Sequence, residues 1–267
     1  MVSESRALKQ KALTLFEYEA EQYATLREQE QGFRDQLSIV LRMLEGKRGT
    51  ILDIGCAAGS EMLALRKMQL RVVGLDFSAC MLRYARERFS GDPGIELCQG
   101  DAEFVPFRSE SFDHVTCLGV MEYLADYRPT LQEISRVLRP GGSAVFSVPT
   151  RISPYYVTTQ IFDRFVGPSW RAIKSLGGRW TPPTRPALGH SPNVCTPWGF
   201  RRLLREFGLQ PQQSAFSNFF VHPLDRISPT GHDRLAGFLE RFSSSAIIGW
   251  TGSQYLVSAR KALPNRE

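Results

Sequence analysis

The apolar positions of this chain change period along its length, and each period predicts a different kind of structure. From residue 3 to residue 45, Leu13, Phe16, Tyr23, Leu26, Leu37, Val40, Leu41 and Leu44 recur at three- and four-residue spacing, which is the pattern of helix with one buried stripe. Gly32 is the point where this run would divide into two helices. From Ile51 to Pro149 short apolar runs alternate with helical patterns. Ile51–Ile54, Arg71–Asp76, Ile95–Gln99, Phe112–Leu118 and Ser143–Val148 read as strands, and Ser60–Met68, Ser78–Phe89 and Pro129–Leu138 as helices. The last helix carries Leu131, Ile134, Val137 and Leu138 on one face, and Pro140-Gly141-Gly142 would stop it. Such alternation predicts an α/β protein with a doubly wound, mostly parallel sheet and helices on both faces. Ligands of these sheets sit at the carboxyl ends of the strands, where the strand order reverses.

The rhythm breaks after Thr150. Between Thr150 and His190 prolines and glycines crowd the chain, and Arg151, Arg164, Arg171, Lys174, Arg179 and Arg185 face a single acid, Asp163. Trp170 and Trp180 are among its aromatics. A long irregular insert in a compact domain is usually functional or mobile. Residues 150–195 are expected to form a substrate lid suited to an anionic or aromatic ligand. A peripheral membrane contact is a second reading, and a surface excursion without a ligand is a third. Pattern returns at Thr196-Pro197, which reads as an N-cap followed by proline in the first turn. A helix Trp198–Phe207 closed by Gly208, a strand near Gln213–Phe220, a helix Arg234–Phe242 and a strand Gln254–Arg260 complete the chain. The organisation expected is a helical cap (1–49), a nucleoside-binding core (50–149), the insert (150–195) and the rest of the same core (196–267), all one domain.

The candidate chemistry lies at the first strand's end, in Ile51-Leu52-Asp53-Ile54-Gly55-Cys56-Ala57-Ala58-Gly59-Ser60. Glycines there allow backbone angles that other residues avoid and leave no Cβ in a ligand's way. The second strand ends in Asp76, about 20 residues on, where a carboxylate can accept from both ribose hydroxyls. A dinucleotide loop wants Gly-x-Gly-x-x-Gly. Counting from Gly55, the second and third glycines fall on Ala57 and Ser60, and the Ala57 methyl would meet the pyrophosphate. The Gly-Lys-Ser/Thr of a triphosphate loop is absent. A nucleoside cofactor without phosphate is therefore expected, and S-adenosyl-L-methionine fits.

Five segments carry a family resemblance: Leu52 to Gly59, Gly74 to Leu82, Gly100 to Phe107, Ser111 to Val115 and Leu138 to Gly142. In their order and spacing the chain resembles class I S-adenosylmethionine-dependent methyltransferases, specifically the small-molecule subfamily that includes the ubiquinone and menaquinone methyltransferases. The resemblance implies a Rossmann-like seven-stranded sheet with an antiparallel last strand and an N-terminal helical cap. It implies that Asp53, Gly55, Cys56 and Gly59 hold the methionine end. Asp76 takes the ribose, with Phe77 and Met81 against the adenine. Asp101 and the Ala102 amide meet the adenine edge, and Leu118 lines the floor near the sulfonium. Tyr18, Tyr23 and Arg27 of the cap, with Trp170 and Trp180 of the insert, would face substrate. Each residue has a plainer reading: a tight turn for Gly55 and Gly59, an N-cap for Asp76, a turn cap for Asp101, and core for Phe77 and Met81.

The implied reaction displaces a methyl group in line, and the protein supplies alignment. The family often places a histidine just after the fourth strand, where this chain has Tyr123. Tyrosine, with a reference pKa near 10, is a poor base at neutral pH. Glu122, Tyr123, His190 and His222 stand as candidates for a general base, with none assigned. An Asn/Asp-Pro-Pro-Tyr/Phe signature for planar amino groups is missing, which argues against methylation of bases. Three functions remain: methyl transfer to an oxygen, nitrogen or activated carbon of a small molecule; cofactor binding without catalysis; and an RNA or protein methyltransferase.

Composition changes this picture little. The chain of 267 residues is 42% hydrophobic and 22% charged, with a net charge of +6. That excess suits an anionic partner but lacks the basic-aromatic blocks of a nucleic-acid binder, so no nucleic acid is expected. The five cysteines, Cys56, Cys80, Cys98, Cys117 and Cys195, contain no Cys-x-x-Cys pair, so no metal site is expected. With no apolar signal core and no apolar run of about 18 residues, a cytoplasmic location is expected.

Overall fold

Alternate side chains of each central strand enter two separate cores, and that alternation builds the layers. In the computed structural model, which describes residues 27–151, 153, 194–217 and 252–264 together with 10, 13, 14, 23, 25 and 238, the strands are β1 (Thr50–Ile54), β2 (Arg71–Asp76), β3 (Ile95–Gln99), β4 (Phe112–Cys117), β5 (Leu138–Pro149), β6 (Leu209–Ser217) and β7 (Gln254–Lys261). The helices are α1 (Gln31–Met43), α2 (Ser60–Lys67), α3 (Ala79–Arg88), α4 (Arg128–Val137) and α5 (Pro197–Glu206). Leu52, Ile54, Val73, Leu75, Val115, Phe146 and Val257 point into one core, where Leu131, Ile134 and Val137 of α4 and Phe200 and Leu204 of α5 meet them. Ile51, Val72, Val145 and Leu256 point into the other, against Ile39 and Val40 of α1, Met62 and Leu65 of α2 and Leu82 of α3. A sheet apolar on both faces has to be covered twice.

The seven strands lie in the order β3-β2-β1-β4-β5-β7-β6. β1 to β5 pair in parallel, and β7 is antiparallel to both β5 and β6. The expected sheet, with its antiparallel last strand, is the observed one. The order reverses between β1 and β4, which opens the crevice at their carboxyl ends. Of the expected helical cap, the described residues show α1 and, before it, helical backbone at 10, 13, 14, 23, 25 and 27–29. The break there falls at Glu30, extended at ψ 125 and serving as the N-cap of α1, while Gly32 continues inside the helix. No helix among the described residues is long and apolar enough to cross a membrane.

Two element boundaries differ from expectation. Helix α4 ends at Val137, and Leu138 is already extended with ψ 138, because Arg139 precedes Pro140 and is steered away from helical angles. Pro140-Gly141-Gly142 therefore lies within β5, as an irregularity between the pairs Phe112–Leu138 and His114–Ser143, with Gly141 at φ +76. β6 begins at Leu209 and contains Pro211. β6 is an edge strand, the place where a strand proline is tolerated. The Thr196 cap is as expected, its hydroxyl accepting from the Gly199 amide.

Gly74 is a point of close packing in the sheet. A Cβ there would lie 2.8 Å from both Cys56 Sγ and Met62 Sδ and 2.9 Å from Leu97 Cδ2, so the glycine lets the β1–α2 loop lie on β2. Gly74→Ala should destabilise the fold by about 1–3 kcal/mol, the usual cost of overpacking, read from urea unfolding. At the opposite end of the sheet, His114 is buried, with Nδ1 2.8 Å from Ser143 Oγ and Nε2 3.0 Å from the Arg48 carbonyl. A carbonyl only accepts, so Nε2 carries the proton and Nδ1 accepts from the serine. Burial first of all holds the imidazole below its ordinary pKa. The unfolded chain then binds the extra proton, and this contribution, full above about pH 6.5, is lost as the pH falls towards the folded value. Unfolding free energy should fall between pH 7 and pH 5, with a shallower slope in His114→Asn.

Candidate active site

β1 delivers Asp53 to the crevice and then turns through Gly55, Cys56, Ala57, Ala58 and Gly59 into α2. The turn needs its glycines. Gly55 has φ +78 and Gly59 φ +85, and a Cβ would strike Val120 Cγ2 at 2.2 Å in the first case and Phe89 Cε2 at 2.3 Å in the second. Ala57 also takes a left-handed φ, of 47, which costs a non-glycine residue energy unless its surroundings hold it. The Gly55 and Cys56 amides donate to the Leu75 carbonyl at 2.7 and 3.1 Å, and the Ala57 amide donates to Asp76 Oδ2 at 2.8 Å.

Asp76 holds more than the loop. Its Oδ1 accepts from the Ser78 amide at 2.8 Å, and the Gly100 amide donates to its carbonyl at 3.0 Å. It is not the N-cap of α3. Ser78 is, with its hydroxyl accepting from the Met81 amide. Asp101 makes a turn of its own, Oδ1 accepting from the Glu103 amide at 3.0 Å, and Ala102 beside it is partly buried. Phe77 and Phe104 stand 42% and 77% exposed near these turns, while Met81 is buried against Ala58 with Ala57 and Tyr23 packed around it. Leu118 is buried just past the end of β4.

The crevice beside the β1 turn is lined by acid. Asp53 is 2% exposed. Its Oδ1 accepts from Thr116 Oγ1 at 2.7 Å, and its Oδ2 is buried with no partner among the described residues. Burial, then the neighbouring Glu61 carboxylate, pushes its pKa well above the usual range. Burial likewise raises Glu61 and Asp76. Arg27 stands over this cluster, Nη2 3.9 Å from Glu61 Oε1, with its guanidinium 4.8 Å from the centre of the Phe33 ring. Three carboxylates against one guanidinium would repel a diphosphate. They suit the ammonium and sulfonium of the expected cofactor, and the orphaned Asp53 oxygen is an acceptor waiting for such a donor. The loop and its acids thus fit that cofactor.

Tyr23 and Arg27, expected to face substrate, lie over the cofactor loop: Tyr23 packs with Ala58 and Met81, and Arg27 sits near Glu61 and Gly119. Glu122 and Tyr123 form a single 3-10 turn after β4, and the Gln254 amide donates to Glu122 Oε2 at 3.3 Å. Tyr18, Trp170, Trp180, His190 and His222 lie outside the described residues. Three contributors escaped the sequence reading. The local signal of Glu61 is an acid in the first turn of α2, which the helix dipole alone would explain. Thr116 was visible as the single hydroxyl in the strand Phe112–Cys117. Gln254 gave no signal, because only the strand order brings it near Glu122.

The cysteine in the loop is not activated. Burial first, then Asp76, Asp53 and Glu61, pushes the Cys56 thiol far up; burial raises Cys117 as well and pushes Cys195 up to about 12. Thiolate is the reactive form. Iodoacetamide at pH 8 should label Cys80 or Cys98 in the native protein well before Cys56, as mapped by peptide mass spectrometry.

Residues 52–146 match the family described as Methyltransferase domain. A demethylmenaquinone methyltransferase of Staphylococcus carnosus is 37% identical over 136 residues, covering 48% of this chain and 56% of that protein. One from Staphylococcus epidermidis is 31% identical over 152 residues, covering 54% of this chain and 62% of its own length. The chain thus spans about three-fifths of these curated relatives. Among solved structures, a chain from the complex between the Haloferax volcanii Trm112 methyltransferase activator and a methyltransferase superposes with a TM-score of 0.64 over 93% of this chain and 98% of that one. At 21% identity, that likeness speaks for the fold.

Proposed function

We propose that this chain, whose residues 52–146 match a methyltransferase domain, is a class I S-adenosylmethionine-dependent enzyme that moves a methyl group to an oxygen, nitrogen or activated carbon of a small molecule. The observation that carries this reading is the acid-lined turn at the carboxyl end of β1. It offers carboxylates to a cation and bends with positive φ at Gly55, Ala57 and Gly59, where a bridging diphosphate would meet the Ala57 methyl. When bound, S-adenosylmethionine supplies an electrophilic methyl group on sulfur. Asp53 and Glu61 face its ammonium, Arg27 is placed for its carboxylate, and Asp76 takes the ribose. Phe77 and the Asp101 turn bracket the adenine. The residues after β4 then face the acceptor.

An aromatic, quinone-like acceptor is the reading that the demethylmenaquinone methyltransferases favour. The basic, aromatic stretch 150–195 agrees with it in composition. Isothermal calorimetry should show binding of S-adenosylmethionine and S-adenosylhomocysteine, and Asp76→Ala should weaken both at least about tenfold, or 1.4 kcal/mol. Methyl label should pass from the cofactor into the small-molecule fraction of a cell extract. A wild-type protein that binds neither compound would end this reading.

A further inference from the structure

Buried polar atoms in folded proteins almost always find partners, so an unpartnered pair on neighbouring strands asks for a ligand. Ser217 Oγ and Gln254 Oε1 are both buried without a hydrogen-bond partner among the described residues. The two residues are directly opposite in the β6–β7 register, which puts their side chains on the same face of the sheet. Gln254 is also paired with Pro149, the last residue of β5. That places it on the rim where β1, β2 and β4 deliver their site residues.

The orientation of the Gln254 amide is fixed by chemistry. Its nitrogen donates to Glu122 Oε2 at 3.3 Å, and a carboxylate at that position can only accept. The carbonyl oxygen is therefore left as the acceptor, turned from Glu122. The serine hydroxyl and this carbonyl do not bond to each other, although directly opposed Cβ atoms are only about 5 Å apart. One small group between them could satisfy both. It has to donate to Gln254 Oε1 and accept from Ser217 Oγ, which a hydroxyl does. A ketone or ether would leave the glutamine oxygen without a donor, whereas a hydroxyl supplies that donor and can still accept from the serine.

We propose that Gln254 and Ser217, with Glu122 as the positioning residue that orients the amide, form a subsite for a hydroxyl group on the methyl acceptor. This rests on the methyl-transfer reading and narrows the acceptor to a molecule bearing a hydroxyl near the reacting atom. Among aromatic acceptors it selects phenols over their ethers.

The test uses the full chain loaded with S-adenosylhomocysteine and two probes, 2-naphthol and 2-methoxynaphthalene, titrated by calorimetry. The wild type should bind the naphthol at least tenfold more tightly than the ether. Gln254→Leu should bring the naphthol down to the ether's affinity and leave the ether unchanged, and Ser217→Ala should lower the preference severalfold. Glu122→Gln should lower it too, because the amide is then free to turn over. Unchanged S-adenosylhomocysteine affinity in each variant shows that the fold is intact. Equal binding of both probes by the wild type, binding of neither, or an equal loss of both in the variants would overturn the subsite while leaving the cofactor reading in place. Failure of the wild type to bind S-adenosylhomocysteine would instead remove the methyl-transfer reading, and the subsite with it.

Discussion

The carboxylate of Asp76 is the joint on which the cofactor crevice depends. One oxygen accepts from Ala57, across the crevice, and the other from Ser78, on its own strand's exit. The first bond holds an alanine at a left-handed φ, and the second sets the chain's direction into α3. Both are bonds from neutral amides to a carboxylate, the stronger kind of hydrogen bond. The Leu75 carbonyl, one residue earlier, takes the Gly55 and Cys56 amides. The end of β2 thereby acts as the template on which the β1 turn is shaped, and Gly74 supplies the clearance that lets the turn lie so close.

That arrangement has an electrostatic cost. Asp53, Glu61 and Asp76 crowd into one buried region with Arg27 as the nearby cation, and burial disfavours every carboxylate charge there. A fold selected for stability alone would place apolar groups or paired charges at this point. Functional sites often hold such uncompensated groups, because the ligand completes them. A surplus of this sign disfavours an anionic ligand and suits a cationic one.

The elements of the core were legible because they rest on local rules. Strand alternation, the Thr196-Pro197 start and the glycine turn each follow from a few adjacent residues. The misplaced boundaries were those where tertiary position overrides local signals. Pro140-Gly141-Gly142 looks like a helix stop, yet it is absorbed by an irregularity where β5 pairs with β4. Pro211 weakens a strand pattern, yet it is admissible because β6 lies at the edge. At the site, Asp53 and Asp76 could be found from strand ends alone. Asp76 was open to a capping role until the structure gave that role to Ser78. Glu61, Thr116 and Gln254 matter through neighbours distant in sequence, and no local pattern encodes that.

The reversed direction of β7 carries a consequence for how such a chain can diversify. Six strands bring their final residues to the crevice rim, but β7 brings its first, Gln254. Gln254 thereby meets Glu122, which follows β4, so two segments more than a hundred residues apart in sequence furnish one stretch of the rim. Substitutions at Gln254 can therefore alter this part of the rim while leaving the hydrogen bonds of the Asp76 carboxylate in place.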